Sequence, residues 1–240
     1  MTDLVRPDAA SLAEAAADWM VQRFATTPGR LAVSLSGGST PKILYETLAR
    51  TPWRDLMPWD RVHWFWGDER FVPSGDKASN QGMVRRAMLD HVPAPAANIH
   101  PVPTGGLTPE DAATEYEAEL RRFHGGDLAQ PLFDLVLLGL GTNGHTASLF
   151  PGEAVVEERT AWAAPVTPPG EPTRITLTWP PLESCRTAAF LVAGADKRDV
   201  VARVRAGDRS LVAARYRPAG ALHWWLDADA AGSPAPRSAA

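Results

Sequence analysis

One cysteine, Cys185, stands in 240 residues, so no intrachain disulfide can staple this chain. A disulfide scaffold is excluded, the lone thiol fits a reducing compartment, and a plain packing role is expected for it. Long apolar runs are also missing. No stretch approaches the roughly 20 residues of a membrane span, and no basic-then-apolar leader opens the chain. Positive charge is not in excess: 24 Lys and Arg face 28 Asp and Glu, for a net charge of −4. That balance removes any general attraction to nucleic acid or anionic membrane, so an anion site must be local. The expectation is a cytoplasmic protein with neither nucleic acid nor membrane as partner.

Metal and hydrolase signatures are absent as well. The six histidines include no H-E-x-x-H pair, and a single cysteine cannot build a zinc knuckle, so no metal is expected. There is no G-x-S-x-G elbow, which argues against an ordinary serine hydrolase. No glycine loop ends in Gly-Lys-Ser/Thr, so a nucleoside triphosphate is not implied.

What is present is an ordinary globular composition, 45% hydrophobic and 22% charged. Residues 8–27 repeat at helical spacing, with Leu12, Ala16, Trp19, Met20 and Phe24 on one face, until Pro28-Gly29 stops the pattern. Further helices are expected at 41–50, 79–89, 108–123 and 197–204. The helix at 108 opens Thr-Pro-Glu-Asp, a cap, a first-turn proline and two acids suited to the helix dipole. Strands are expected at 31–35, 62–66, 133–138, 174–179, 187–193 and 222–226. Strands alternating with helices imply crossovers, hence an α/β fold with a largely parallel sheet flanked by helices and room for a small subdivision. The proline-rich stretches 92–103 and 165–172 read as surface loops. One domain is expected over 1–228, followed by a tail, 229–240, with too little apolar content to pack.

Three stretches carry candidate chemistry. Ser36-Gly-Gly-Ser-Thr-Pro-Lys42 joins a strand to a helix. Gly37 and Gly38 permit unusual backbone angles, Ser39 or Thr40 can cap, and the free amides make an anion site or merely a capped turn. Gly67-Asp-Glu-Arg70 follows another strand. Asp68 and Glu69 can supply a base or polar anchor and Arg70 can clamp an anion, or the group is a solvated turn with its own ion pair. Ser79-Asn80 opens a helix as a cap. Arg174 and Lys197 are each ordinary surface charges taken alone; together with the glycine loop they can surround a phosphate.

The third stretch runs Phe133 to Gly152 and is the most informative. Gly139, Gly141 and Gly144 spell G-x-G-x-x-G after a strand, yet Pro151-Gly152 ends the segment before a crossover helix can form. A dinucleotide site is therefore disfavoured. The turn instead delivers His145, the side chain suited to proton transfer at neutral pH, to a strand's carboxyl end, where ligands bind in open parallel sheets.

Taken together, Ser36 to Pro41, Gly67 to Arg70 with Pro73, Ser79-Asn80, and Gly139-Leu-Gly-Thr-Asn-Gly-His-Thr-Ala-Ser-Leu-Phe-Pro-Gly152 resemble the 6-phosphogluconolactonases. The resemblance extends to Arg174 and Gly194-Ala-Asp-Lys197 and covers roughly residues 10–225. It implies a Rossmann-like fold and cofactor-free hydrolysis of 6-phosphoglucono-1,5-lactone, the second step of the oxidative pentose phosphate pathway. A sugar-phosphate lactone is then the small-molecule partner. His145 would be the base that activates water, and Arg70 or backbone amides would hold the oxyanion. Gly37, Gly38, Ser39, Thr40, Arg174 and Lys197 would hold the substrate's phosphate and Gly144 would meet the substrate, while Asp68 and Asn80 would meet hydroxyls or water. The family usually has an aspartate two residues before the histidine; here it is Asn143, which can orient an imidazole but cannot stabilise imidazolium by charge. The related amino-sugar phosphate deaminases place a glutamate five residues after the histidine, where this chain has Phe150. A non-catalytic sugar-phosphate sensor is the alternative of a different class. Nothing in the pattern selects an oligomeric state.

Overall fold

The computed structural model describes residues 2–125 and 128–232. Seven strands form the main sheet: β1 (Thr2–Arg6), β2 (Leu31–Leu35), β3 (Val62–Trp66), β5 (Ile99–His100), β6 (Leu135–Leu138), β9 (Thr187–Val192) and β10 (Ala221–Asp227). Their spatial order is β1-β10-β9-β6-β2-β3-β5, and every neighbouring pair is parallel. A parallel sheet covered on both faces needs strands that are apolar throughout rather than alternating. β2, β6 and β9 are buried at every position.

Helix α1 (Ala9–Thr26) supplies part of that cover. It buries Leu12, Ala13, Ala16, Ala17, Met20, Val21 and Phe24, and its first turn is capped by Asp8, which accepts from the Ser11 amide at 2.7 Å. Trp19 stays half-buried, edge-on to Trp225 at 5.3 Å between ring centroids. Helices α2 (Ser39–Leu48), α3 (Trp53–Leu56), α4 (Asn80–Ala87) and α5 (Pro109–His124) follow between the strands. Thr108 caps α5 by accepting from the Asp111 amide, as its sequence foretells, and Gly125 closes it in the left-handed region. α2 begins two residues earlier than the pattern indicates. Gly38, at φ 109°, takes the cap position and no side chain caps the helix, so neither Ser39 nor Thr40 does.

A second, antiparallel sheet is the subdivision. It consists of β4 (Asp68–Arg70), β7 (Ala163–Val166) and β8 (Arg174–Leu177), in the order β4-β8-β7. Gly67 joins the two sheets: its amide donates to Leu35 O and its carbonyl accepts from the Leu177 amide, each at 2.8 Å. The stretch at 165–172, read as loop, begins inside β7. Pro165 is tolerated there because β7 is an edge strand, where a missing N–H costs no ladder bond. The strand at 174–179 stops at Leu177, since Pro180 and Pro181 open helix α6 (Trp179–Glu183).

Beyond β9, α7 (Arg198–Arg205) packs against the short helix α8 (Ala228–Ala231). The tail expectation fails at its first residues. Asp227 caps α8 through the Ala230 amide at 2.8 Å, and Ala228 and Ala230 are buried, alanines being small enough to pack without an apolar run. Residues 233–240 lie outside those described. Cys185 is fully buried beside Tyr216, and burial pushes its thiol up to about 11, which fits a packing residue. Among the described residues, no helix is long and apolar enough to cross a membrane.

Candidate active site

Strand order reverses direction at β2 and β6. The chain runs outward from β2 through β3 to β5, then returns to the other side of β2. Ligands of open α/β sheets bind at such a switch, outside the strands' carboxyl ends. The loop after β2 with the first turn of α2 (Ser36 to Pro41) and the loop after β6 (Gly139 to Gly141) meet there with β4, β8 and the turn after β9. Together they line a cleft of about 240 Å³.

His145 stands in this cleft because the β6 loop folds back on itself. The Gly141 amide donates to His145 O, the Gly144 amide to Gly141 O and the Ala213 amide to Gly144 O, each at 2.9 Å, while Thr146 Oγ1 donates to Gly139 O at 2.9 Å. Two glycines are obligatory. A Cβ at Gly141 would lie 2.1 Å from His145 Nδ1, and Gly144, at φ 81°, would drive one into Leu211 at 2.7 Å. The dinucleotide reading fails as expected: no helix opens on Gly144.

Asn143 fixes the imidazole. Its Oδ1 accepts from the His145 amide at 3.2 Å and lies 2.6 Å from His145 Nδ1. An amide carbonyl oxygen bears no proton and can only accept, so Nδ1 carries the proton and Nε2 keeps its lone pair. Burial lowers the imidazole to about 4; Asp68 and Glu171 oppose that shift, and Arg174 and Lys197 assist it. His145 is therefore neutral at pH 7.

The acidic segment after β3 divides its labour. Asp68 is buried, and its Oδ2 accepts from Ser148 Oγ at 2.6 Å and sits 3.7 Å from the Arg174 guanidinium. Glu69 takes no part in the cleft. It is buried, accepting from the Arg70, Asn80 and Gln81 amides at 2.6–2.8 Å and from Ser79 Oγ at 3.2 Å, and so it caps the start of α4. Burial pushes its carboxyl up, against those amides. Arg70 donates to Asn80 Oδ1 at 2.5 Å, and Asn80 Nδ2 donates to Asp68 O at 2.9 Å. Asn80 also explains Gly37: a Cβ there would meet Asn80 Oδ1 at 2.1 Å.

The cations are placed unequally. Arg174 is nearly buried and shared between Asp68, Glu171 and Ser148 Oγ, with its Nε left unpaired. Lys197 reaches the cleft with Asp196 3.7 Å away. The first amides of α2 have no intrahelical acceptor and point their dipole toward the same space.

Ten of the twelve residues singled out in the sequence line the cleft: Gly37, Gly38, Ser39, Thr40, Asp68, Arg70, Asn80, His145, Arg174 and Lys197. Asn143 and Gly144 stand behind His145 as its supports. Sequence reasoning missed Ser148, Glu171 and Ala147, the last a lining residue at φ 47°. A serine, a glutamate in a proline-rich turn and an alanine carry no local signal of a site. Among the described residues, no group of three or more His, Cys, Asp or Glu is arranged to hold a metal ion.

The profile of the glucosamine-6-phosphate isomerase/6-phosphogluconolactonase family matches residues 7–224, and the chain belongs to that family. Within it, the chain is 44% identical over 206 residues to a 6-phosphogluconolactonase of Synechocystis sp., covering 84% of each chain. It is 41% identical over 233 residues to the 6-phosphogluconolactonase of Nostoc sp., covering 94% of this chain and 95% of that one. The solved 6-phosphogluconolactonase of Trypanosoma brucei superposes with a TM-score of 0.81 at 28% identity, over 96% of this chain and 97% of that one.

Proposed function

We propose that this protein hydrolyses 6-phosphoglucono-1,5-lactone to 6-phosphogluconate, within the oxidative pentose phosphate pathway. The observation that carries the mechanism is the Nδ1–H bond to Asn143, which leaves Nε2 of a neutral His145 as a base inside a cation-lined cleft.

A lactone is an activated ester, so a positioned water and a base suffice and no covalent acyl-enzyme is required. His145 Nε2 takes a proton from water as its oxygen attacks the lactone carbonyl carbon. The carbonyl oxygen becomes an oxyanion, held by Arg70 or by backbone amides at the glycine loops. Collapse of the tetrahedral intermediate breaks the bond to the ring oxygen, which takes the proton from His145. The product is the open hydroxy acid, and the imidazole returns to its starting state. The amides of Gly38, Ser39 and Thr40, with Lys197 and Arg174, hold the phosphate; Asp68 and Asn80 meet hydroxyls or the water. The Glu171 and Asp68 carboxylates keep Arg174 in place before substrate arrives.

The deaminase alternative lacks its carboxylate beside the histidine, since Phe150 packs there. The deciding experiment gives the purified protein the phosphorylated lactone and, separately, glucosamine 6-phosphate, with an enzyme-free control for spontaneous lactone opening. Rapid 6-phosphogluconate formation above that control is expected. Turnover of the amino sugar alone would overturn the reading.

A further inference from the structure

Phe150 has no role in the chemistry just described, yet it is the aromatic side chain against the base. Its ring centroid is 4.2 Å from that of His145, the planes 31° apart, and Phe150 is only 6% exposed. The Arg174 guanidinium carbon lies 5.1 Å from the same phenyl centroid. The loop holds the ring there: Thr146 and Leu149 form a bridge, and Phe150 O accepts from the Glu153 amide at 3.2 Å.

The charges that reach His145 come from every side. Asp68 on β4 and Glu171 in the turn before β8 favour imidazolium, while Arg174 on β8 and Lys197 after β9 oppose it. Two carboxylates oppose two cations, and exclusion of water outweighs each of them, so burial decides the protonation state. Gly141 contributes no side chain on the Nδ1 flank. The phenyl ring lays a large apolar surface against the imidazole, and its attraction for a cation is already engaged by Arg174.

We propose that Phe150 is a positioning residue for His145: its ring shields the imidazole from water and seats it beside Arg174, so that the base stays neutral among the groups that recognise phosphate. The proposal rests on the lactonase reading for its catalytic meaning, while the shielding itself is a property of the free protein. It also gives a physical sense to an apolar residue where the deaminases carry glutamate. A carboxylate in ring contact would favour imidazolium, whereas phenyl disfavours it.

The test is an NMR titration of the His145 imidazole in the wild type, Phe150→Leu, Phe150→Ala and Phe150→Tyr, with kcat and KM for the lactone measured alongside. Leucine and alanine should raise the imidazole pKa by about one unit or more, because water enters the space the ring filled. Their kcat should fall about tenfold or more while KM moves little, and tyrosine should keep the wild-type titration. Phe150→Leu keeps the test available should Phe150→Ala not fold. An unchanged imidazole pKa in a folded Phe150→Leu protein would overturn the proposal even with lactonase activity intact. A raised pKa in a protein that never hydrolyses the lactone would instead sink the functional reading and leave the shielding standing.

Discussion

Replacing Asn143 by aspartate puts the mechanism under the sharpest strain. In the wild type, Asn143 Oδ1 orients the ring from 2.6 Å without charge, and burial holds the imidazole at about 4. The kcat/KM profile, which reports ionisations of the free enzyme, should therefore keep a plateau from neutral pH down to roughly pH 5 before falling. Asn143→Asp adds a negative charge at hydrogen-bond distance on an exposed loop residue. At that separation two unit charges interact by about 1.6 kcal/mol in water and about four-fold more at an effective dielectric of about 20. The imidazole should rise by about 1–3 units, carrying the acid limb with it toward pH 5–7. Above that limb kcat/KM should match the wild type, because orientation is preserved. Asn143→Leu should instead lower the whole profile up to about tenfold, the value of one neutral hydrogen bond, without moving the limb upward as the aspartate does. Initial rates between pH 4 and 8, corrected for spontaneous hydrolysis, decide the matter. An acid limb that stays put in Asn143→Asp would show that His145 is not the titrating base. Coincident wild-type and Asn143→Leu profiles would leave Asn143 with a backbone role only.

Removing the base itself, His145→Ala should lower kcat by about 10²–10⁴-fold while phosphate-ligand affinity, followed by calorimetry, stays within a few-fold. Lys197→Ala should weaken the phosphorylated lactone by about 1.5–3 kcal/mol and leave unphosphorylated gluconolactone nearly untouched; equal losses on both would assign Lys197 to folding. Stability should also register the buried imidazole. The unfolded chain protonates near 6.5 and the folded one near 4, so the unfolded state gains protons first as pH falls and the fold loses up to about 3 kcal/mol across that window. Denaturant midpoints of His145→Gln should be flatter than the wild type between pH 6.5 and 4, and parallel curves would refute the depressed ionisation.

Where chemistry and periodicity were local, the sequence told the fold plainly. Strands 31–35 and 62–66 stand where the apolar runs place them, and α5 opens on the cap and first-turn proline its sequence shows. β4 and β5 escaped because three and two residues hold no period; they are strands only by virtue of partners distant in the chain. β1 pairs with β10, more than two hundred residues away, and Pro165 disguised β7. The candidate site was legible through His145 and through glycine-rich turns that follow strands, where ligands of parallel sheets bind. Glu69 was not legible, because an acidic residue beside an aspartate gives no hint that amides of a later helix surround it. The same holds for Glu171 and Ser148, which matter only through Arg174 and Asp68.

A base held at about 4 is weak, and that weakness suits a lactone. Water attack on an activated ester needs modest help, whereas the departing ring oxygen must leave protonated. An imidazolium whose proton is poorly held is the better donor for that second step, so burial trades strength as a base for strength as an acid. Asn143 is consistent with this balance: it orients the ring without adding a charge that would stabilise the imidazolium. Phosphate recognition then has to be arranged without overturning that balance. The two cations among the charges that reach His145 would otherwise make its charging harder still, and the Asp68 and Glu171 carboxylates on Arg174 offset them while Arg174, Lys197 and the α2 amides meet the substrate's dianion.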